Sequence, residues 1–314
     1  MSEKEKNNHT LLKVIGGVTA AGAAAYGGFG YVVFRNAFDL QHSTLYGGKQ
    51  SVRKLNAVNG EKSEWFAHSD REDEFLESYD GLKLHALKIS NHNDAHKWII
   101  LVHGVGSYSG GMLEYMSEAD ERGFNILAVD HRGCGMSEGR YTGLGWPEHY
   151  DLISWVNFLI NLDPQAEIAL LGVDAGGTAV MNAIGDYIPS NVKCAVEDGG
   201  FSGIKEILNY GIRKYCKVEG KPFLPGVDFF VKQCLHFSIN DVSTKHQLQM
   251  ATTPILFAQG TEDEVVPTSM LFDNYYACAS EKDLYTAEGK GFGETWTAPD
   301  YFETVFGFIG KYIQ

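Results

Sequence analysis

An apolar run, Ile168-Ala169-Leu170-Leu171, leads into Gly172-Val173-Asp174-Ala175-Gly176-Gly177, after which Thr178-Ala179-Val180-Met181 can continue as a helix. A strand that turns this tightly into a helix lifts one reactive side chain above a sheet, the layout of a nucleophile elbow. Glycines two before and two after the central residue are required because a Cβ there would clash inside the turn. The central residue is Asp174. A carboxylate in that place has two uses. It can attack an electrophilic carbon and form an ester, provided a base activates the water that releases it. Or it can sit inert at the helix N-terminus, where N–H groups and the dipole favour negative charge. There it would also occupy or electrostatically spoil a site for the oxyanion of a tetrahedral intermediate.

The elements that must carry such a turn alternate along the chain. Glu74 to Tyr79 and Leu82 to Ile89 read as two strands joined by the turn signal Asp80-Gly81. Trp98 to Val102 is a continuous apolar run, as expected of a strand buried on both faces, and it ends in His103-Gly104. A helix near Gly111 to Arg122, a strand at Asn125 to Val129 and a helix from Pro147 to Leu162 follow. Beyond the elbow come strands at Lys193 to Val196, Pro254 to Ala258 and Leu284 to Ala287, with helices near Pro267 to Cys278 and Pro299 to Tyr312. The alternation implies an α/β fold, a mostly parallel sheet flanked by helices. An aromatic-rich insert at about 203–248 is expected as a helical lid over the strand ends, where open α/β sheets bind ligands.

The N-terminal part differs in kind. Residues 1–13 form a polar tail, and Val14 to Phe34 carries no charge, a length that suits one membrane-spanning helix. A cleaved signal peptide and a buried or peripheral helix are the competing readings of that stretch. Charge on its two sides leaves orientation undecided; with an anchor, the globular part is expected on the extracytoplasmic side. Residues 35–70 read as a linker, and 71–314 as the α/β domain. The net charge of −14 argues against nucleic acid as a partner. Five scattered cysteines give no metal spacing, although Cys216 and Cys234 could bridge within the insert.

Several motifs, in this order, resemble the α/β-hydrolase superfamily, and most nearly bacterial serine hydrolases of the serine-aminopeptidase and esterase type. They are Leu101-Val102-His103-Gly104, Asp130-His131-Arg132-Gly133-Cys134-Gly135-Met136-Ser137-Glu138-Gly139, Gly143-Leu144-Gly145-Trp146 leading to Asp151, the elbow, and Gly260-Thr261-Glu262-Asp263 leading to Val266-Pro267. The resemblance implies an α/β-hydrolase fold from about Glu74 to Gln314. It also implies a serine, histidine and acid acting together, with an oxyanion pocket around His103, Gly104, Val105 and Gly106, and with Ala175 just after the nucleophile position. Asp263 stands where the acid stands. Asp174 stands in place of the serine. Phe292, in Gly289-Lys290-Gly291-Phe292-Gly293, stands in place of the histidine, and no histidine follows His246.

Aspartate-nucleophile branches of the superfamily also need that histidine, and they tend to carry tryptophan where this chain has Ala175. His103 and His131 read as turn-bonding residues, and His236 and His246 belong to the insert. A metal site from Asp174, Asp263 and one of these histidines has no ligand-spaced cluster behind it, so no metal and no cofactor is expected. The expectation is a membrane-tethered pseudoenzyme that binds a small ligand or a protein partner of unknown identity. The alternative is an active hydrolase of ester, amide or related bonds that uses Asp174.

Overall fold

The computed structural model describes residues 26–43, 61–92 and 95–314. Eight strands form one sheet in the order β1-β2-β4-β3-β5-β6-β7-β8. The hairpin of β1 (Arg71–Glu77) and β2 (Lys83–Ile89) is antiparallel and turns at Gly81, and β2 also runs antiparallel to β4 (Asn125–Val129). From β4 onward through β3 (Lys97–Val102), β5 (Glu167–Val173), β6 (Val192–Asp198), β7 (Ile255–Gly260) and β8 (Lys282–Ala287), every pairing is parallel. The alternation read from the sequence therefore gives the expected sheet.

Helices cover both faces. On one, Leu152 and Trp155 of α4 (Pro147–Leu162), Val180 and Met181 of α5 (Ala175–Gly185), Leu248 of α8 (Thr244–Met250) and Leu271 of α9 (Thr268–Ala277) pack on the strands. On the other, Met116 of α3 (Leu113–Glu121) and Tyr301, Val305 and Ile309 of α10 (Tyr301–Ile309) do so. The chain leaves β3 toward β4 on one side and returns to β5 on the other. That reversal opens a crevice outside the C-terminal ends of β3 and β5.

Two buried polar clusters hold the loops at this end of the sheet. Asp130 accepts from the backbone N–H of Ser109 (2.6 Å) and of Met136 (2.9 Å), and lies 2.7 Å from His85 Nδ1. Gly135 has φ +51°, and a Cβ there would run into the Asp130 carboxylate. Arg132 reaches Asp151 through Nε and Nη2, both at 2.8 Å, and Asp80 through Nη1 at 2.9 Å. The Asp130-to-Gly139 motif is thus a loop bonded within itself and pinned to Asp80, His85, Ser109 and Asp151.

The lid differs from its expected bounds. Its helices are α6 (Ile204–Cys216) and α7 (Leu224–Leu235), whereas α8, inside the expected 203–248, belongs to the body because Leu248 is fully buried in the core. Cys216 and Cys234 are both free thiols.

The N-terminal segment departs further from expectation. Residues 26–38 form a helix, here called α1, laid against the lid. Its Gly30 and Gly226 approach so closely that a Cβ at Gly30 would meet the Gly226 backbone at 2.7 Å. Tyr26 and Phe29 pack on Phe223, and Tyr31 and Phe34 on Phe230. Within the stretch expected as linker, Phe38 is fully buried and Asp39 bonds Arg140 at 2.6 Å. Residues 61–68 form α2 (Glu61–His68), with the Trp65 indole donating to Asp120 at 2.7 Å.

Among the described residues no helix is long and apolar enough to cross a membrane. Residues 14–25 of the expected span lie outside the described residues. In its remainder, 26–34, Gly30 and Phe34 are buried against the lid, while Tyr26, Tyr31 and Val32 stay exposed.

If α1 is part of the folded unit, Phe38→Ala should cost about 3–5 kcal/mol, the usual range for emptying a buried phenylalanine site. Urea unfolding of the full chain measures this. A loss below about 0.5 kcal/mol, typical of a surface change, would mean that the helix adds no stability.

Candidate functional site

The elbow is built as its glycines require. A Cβ on Gly172 would run into the Gly176 carbonyl, and one on Gly176 into the Val102 carbonyl. Squeezed between them, Asp174 takes φ +54° and ψ −120°, a conformation that L-residues rarely adopt. Its N–H donates to the Asp198 carbonyl at 2.8 Å, which ties the turn to the neighbouring strand end.

The side chain turns toward the β3 loop. Asp174 Oδ2 accepts the Val105 N–H at 3.0 Å, and the Ala175 N–H also favours its ionised form. Expected at the N-terminus of α5, the carboxylate meets the N–H of that helix's first residue, Ala175, and also reaches across to Val105, so that it lies where the resemblance puts the oxyanion pocket. Gly104 lines this place, since a Cβ there would touch Asp174 Cβ and Oδ2 at 3.0 Å.

Burial pushes the Asp174 carboxyl up to about 6. The Val105 and Ala175 amides pull against it, and Asp263 adds to the rise. Although protein surrounds it, the side chain is only half-buried, because it opens on a cavity.

That cavity measures about 690 Å³, within the range of small-molecule sites. Val105, Asp174 and Phe292 form its floor and rim, Phe201, Leu208 and Ile212 its lid wall, and Val32, Val33, Asn36 and Ala37 of α1 another wall. Among the described residues, no histidine, lysine or arginine lines it. The structure thus brings Asp174, Val105 and Phe292 together, and Phe292 remains 42% exposed.

Asp263 is not among the lining residues. Its Oδ1 accepts from Val265 (2.7 Å) and Val266 (2.9 Å) N–H, and its Oδ2 from Gln259 at 3.4 Å. Burial raises its pKa against those bonds.

The histidines are accounted for. His103 is fully buried; its Nε2 accepts the His131 N–H at 3.0 Å, which leaves Nδ1–H to donate to the Gly104 carbonyl at 2.7 Å. Both ring nitrogens are committed to the turn, and burial holds the imidazole below its ordinary pKa. His131 is buried and held well below its usual range. His236 and His246 are exposed and do not line the cavity. Among the described residues no group of three His, Cys, Asp or Glu side chains is placed to hold a metal ion.

Two features escaped the sequence reading. Glu197 and Asp198 are consecutive buried acids at the end of β6. Asp198, pushed up to about 7 by burial, accepts from Tyr301 Oη at 2.9 Å. Two acids closing an apolar strand are the signal that could have found them. The second is the α1 wall, signalled by Gly30, Phe34, Ala37 and Phe38 at helical spacing.

Residues 93–220 match the family model described as serine aminopeptidase, S33. The Bacillus subtilis protein YqkD is 28% identical over 220 residues, covering 69% of this chain and 72% of YqkD. Escherichia coli YfhR is 22% identical over 170 residues, 54% of this chain and 53% of YfhR. Among solved structures, the Pyrococcus furiosus esterase Pf2001 superposes with a TM-score of 0.66 at 19% identity, over 82% of this chain and 97% of that one. A Mycobacterium tuberculosis puromycin-hydrolyzing peptidase does so at 0.58 and 19% identity, over 78% and 39%. At such identities the likeness to the solved structures is one of fold.

The buried charge has a measurable cost. Because the folded-state pKa of Asp174 lies above its unfolded value, ionisation costs stability between about pH 4 and 6, and the full cost persists above that window. Two pKa units correspond to about 3 kcal/mol; solvent reaching the carboxylate from the cavity reduces this. Asp174→Asn should therefore stabilise the chain by about 1–2 kcal/mol at pH 8, with the gain vanishing near pH 4. Chemical unfolding at both pH values checks it, and a gain independent of pH would contradict the assignment.

Proposed function

We propose that this chain, a member of the α/β-hydrolase superfamily with a fold related to esterases and peptidases, binds an apolar small molecule beneath its lid without hydrolysing it. One observation carries the reading: Asp174 Oδ2 takes the Val105 N–H, the donor that an acyl oxygen would need. Acyl transfer requires a nucleophile, a base within hydrogen-bond reach and free donors for the developing oxyanion. Here the elbow presents a carboxylate, Phe292 on the cavity lining stands where the resemblance would put the base, and the Val105 donor is occupied. A displacement at carbon by Asp174 would leave an ester whose release needs an activated water. Among the described residues no imidazole lines the cavity to activate one. The cavity, the apolar lid and the α1 wall all remain.

Hydrolysis of a short-chain p-nitrophenyl ester by the full chain tests this, run beside Asp174→Ala and the double variant Asp174→Ser with Phe292→His. The full chain is required because α1 forms a wall of the cavity. The unmodified chain and Asp174→Ala should both match the uncatalysed rate, while the double variant should exceed it by at least about a hundredfold, the low side of a general base's contribution. Turnover by the unmodified chain that disappears in Asp174→Ala would instead establish a hydrolase centred on Asp174. Binding is read with the neutral fluorophore N-phenyl-1-naphthylamine. Gly211 lines the cavity and has open space at its Cβ position, so Gly211→Trp should reduce the fluorophore's binding.

A further inference from the structure

The chemistry of the ligand's polar end follows from what the cavity offers and what it lacks. Its walls are mainly apolar, with Val32, Val33, Leu144, Phe201, Leu208 and Ile212 among them. Asp174 is the acid on its lining, and among the described residues no basic side chain accompanies it. The Val105 N–H, a backbone donor that would greet a carbonyl or an anion, is already bonded to Asp174 Oδ2. A fatty acid or a phosphate would bring a second anion against this carboxylate, and like charges in a low-dielectric site repel. A neutral ester would find its donor taken. A positively charged head is the opposite case, because it supplies hydrogen bonds and the missing countercharge together.

We propose that the cavity takes a long-chain primary amine, its ammonium head donating to the Asp174 carboxylate and its alkyl tail lying between α1 and α6. This rests on the binding reading above and specifies its ligand class. Burial holds the Asp174 carboxyl up to about 6, and an ammonium bound beside it would favour the ionised form and lower it. The net charge of −14 draws cations toward the protein as a whole. The selectivity is local, because it depends on one carboxylate that can be neutralised without changing its shape.

The experiment is competition for N-phenyl-1-naphthylamine bound to the full chain at pH 8, with dodecylammonium, dodecanol and dodecanoate, each below its micelle-forming concentration. The tail is constant, so differences report the head. Dodecylammonium should displace the fluorophore at a concentration at least about tenfold below that of dodecanoate, a difference of about 1.4 kcal/mol, with dodecanol between them. In Asp174→Asn the ratio of ammonium to carboxylate should shrink to less than about twofold, while dodecanol competes as before and so reports an intact cavity. Gly211→Trp should weaken all three and show that competition takes place in this cavity.

Dodecanoate competing as well as dodecylammonium, or an ammonium preference that survives in Asp174→Asn, would overturn the amine assignment and leave the binding function standing. Absence of binding by the fluorophore and by all three amphiphiles, measured directly by calorimetry, would overturn both.

Discussion

The structure at this end of the sheet depends on one close approach. Three strand ends and a helix meet so tightly at the elbow that Gly172 and Gly176 have no room for side chains, and Asp174 is forced to positive φ. Such strain persists only where the surroundings over-determine it. Here they do: the Asp174 N–H is held by the Asp198 carbonyl, and its carboxylate by the Val105 N–H. The turn presents the Asp174 side chain at the C-terminal end of the sheet, on the lining of the cavity.

The electrostatics of this end reach past one residue. Asp263 raises both Asp174 and Asp198, and burial shifts each of the three upward. Asp198 has a tyrosine hydroxyl, and Asp263 a pair of backbone amides and a glutamine. Among the described residues none of the three bonds a cation. By contrast, ion pairs secure the loops bearing this end, such as Asp130 with His85 and Asp151 with Arg132.

The lid and α1 form a second layer with its own apolar cluster. Phe34 and Phe38 of α1, Ile204, Leu208 and Ile212 of α6, and Val227 and Val231 of α7 pack together and meet Ala175, the residue after Asp174. The cavity exists because these helices bridge the crevice at the β3/β5 reversal rather than filling it. Removing α1 would open one whole side, which makes the N-terminal segment part of the binding site's geometry.

Strand runs, the elbow and the order of the motifs were legible from the residues alone, because each is a local signal. An apolar run bounded by turn residues marks a buried strand, and a glycine pair around one polar residue marks the turn. The absence of a histidine after His246 equally needed no coordinates. Three things waited for the tertiary structure. That the carboxylate of Asp174, besides meeting the first N–H of its own helix, reaches across to another loop was shown only by the distance to the Val105 N–H. The uncharged stretch ending at Phe34 could face lipid or protein, since both reward apolar area, and only the structure put Tyr31 and Phe34 against Phe230 of α7. Glu197 and Asp198 look like a solvated strand end until the helices and loops that bury them are in place. Local patterns are written in neighbouring residues; contacts between segments far apart in the chain arise only once the sheet has brought them together.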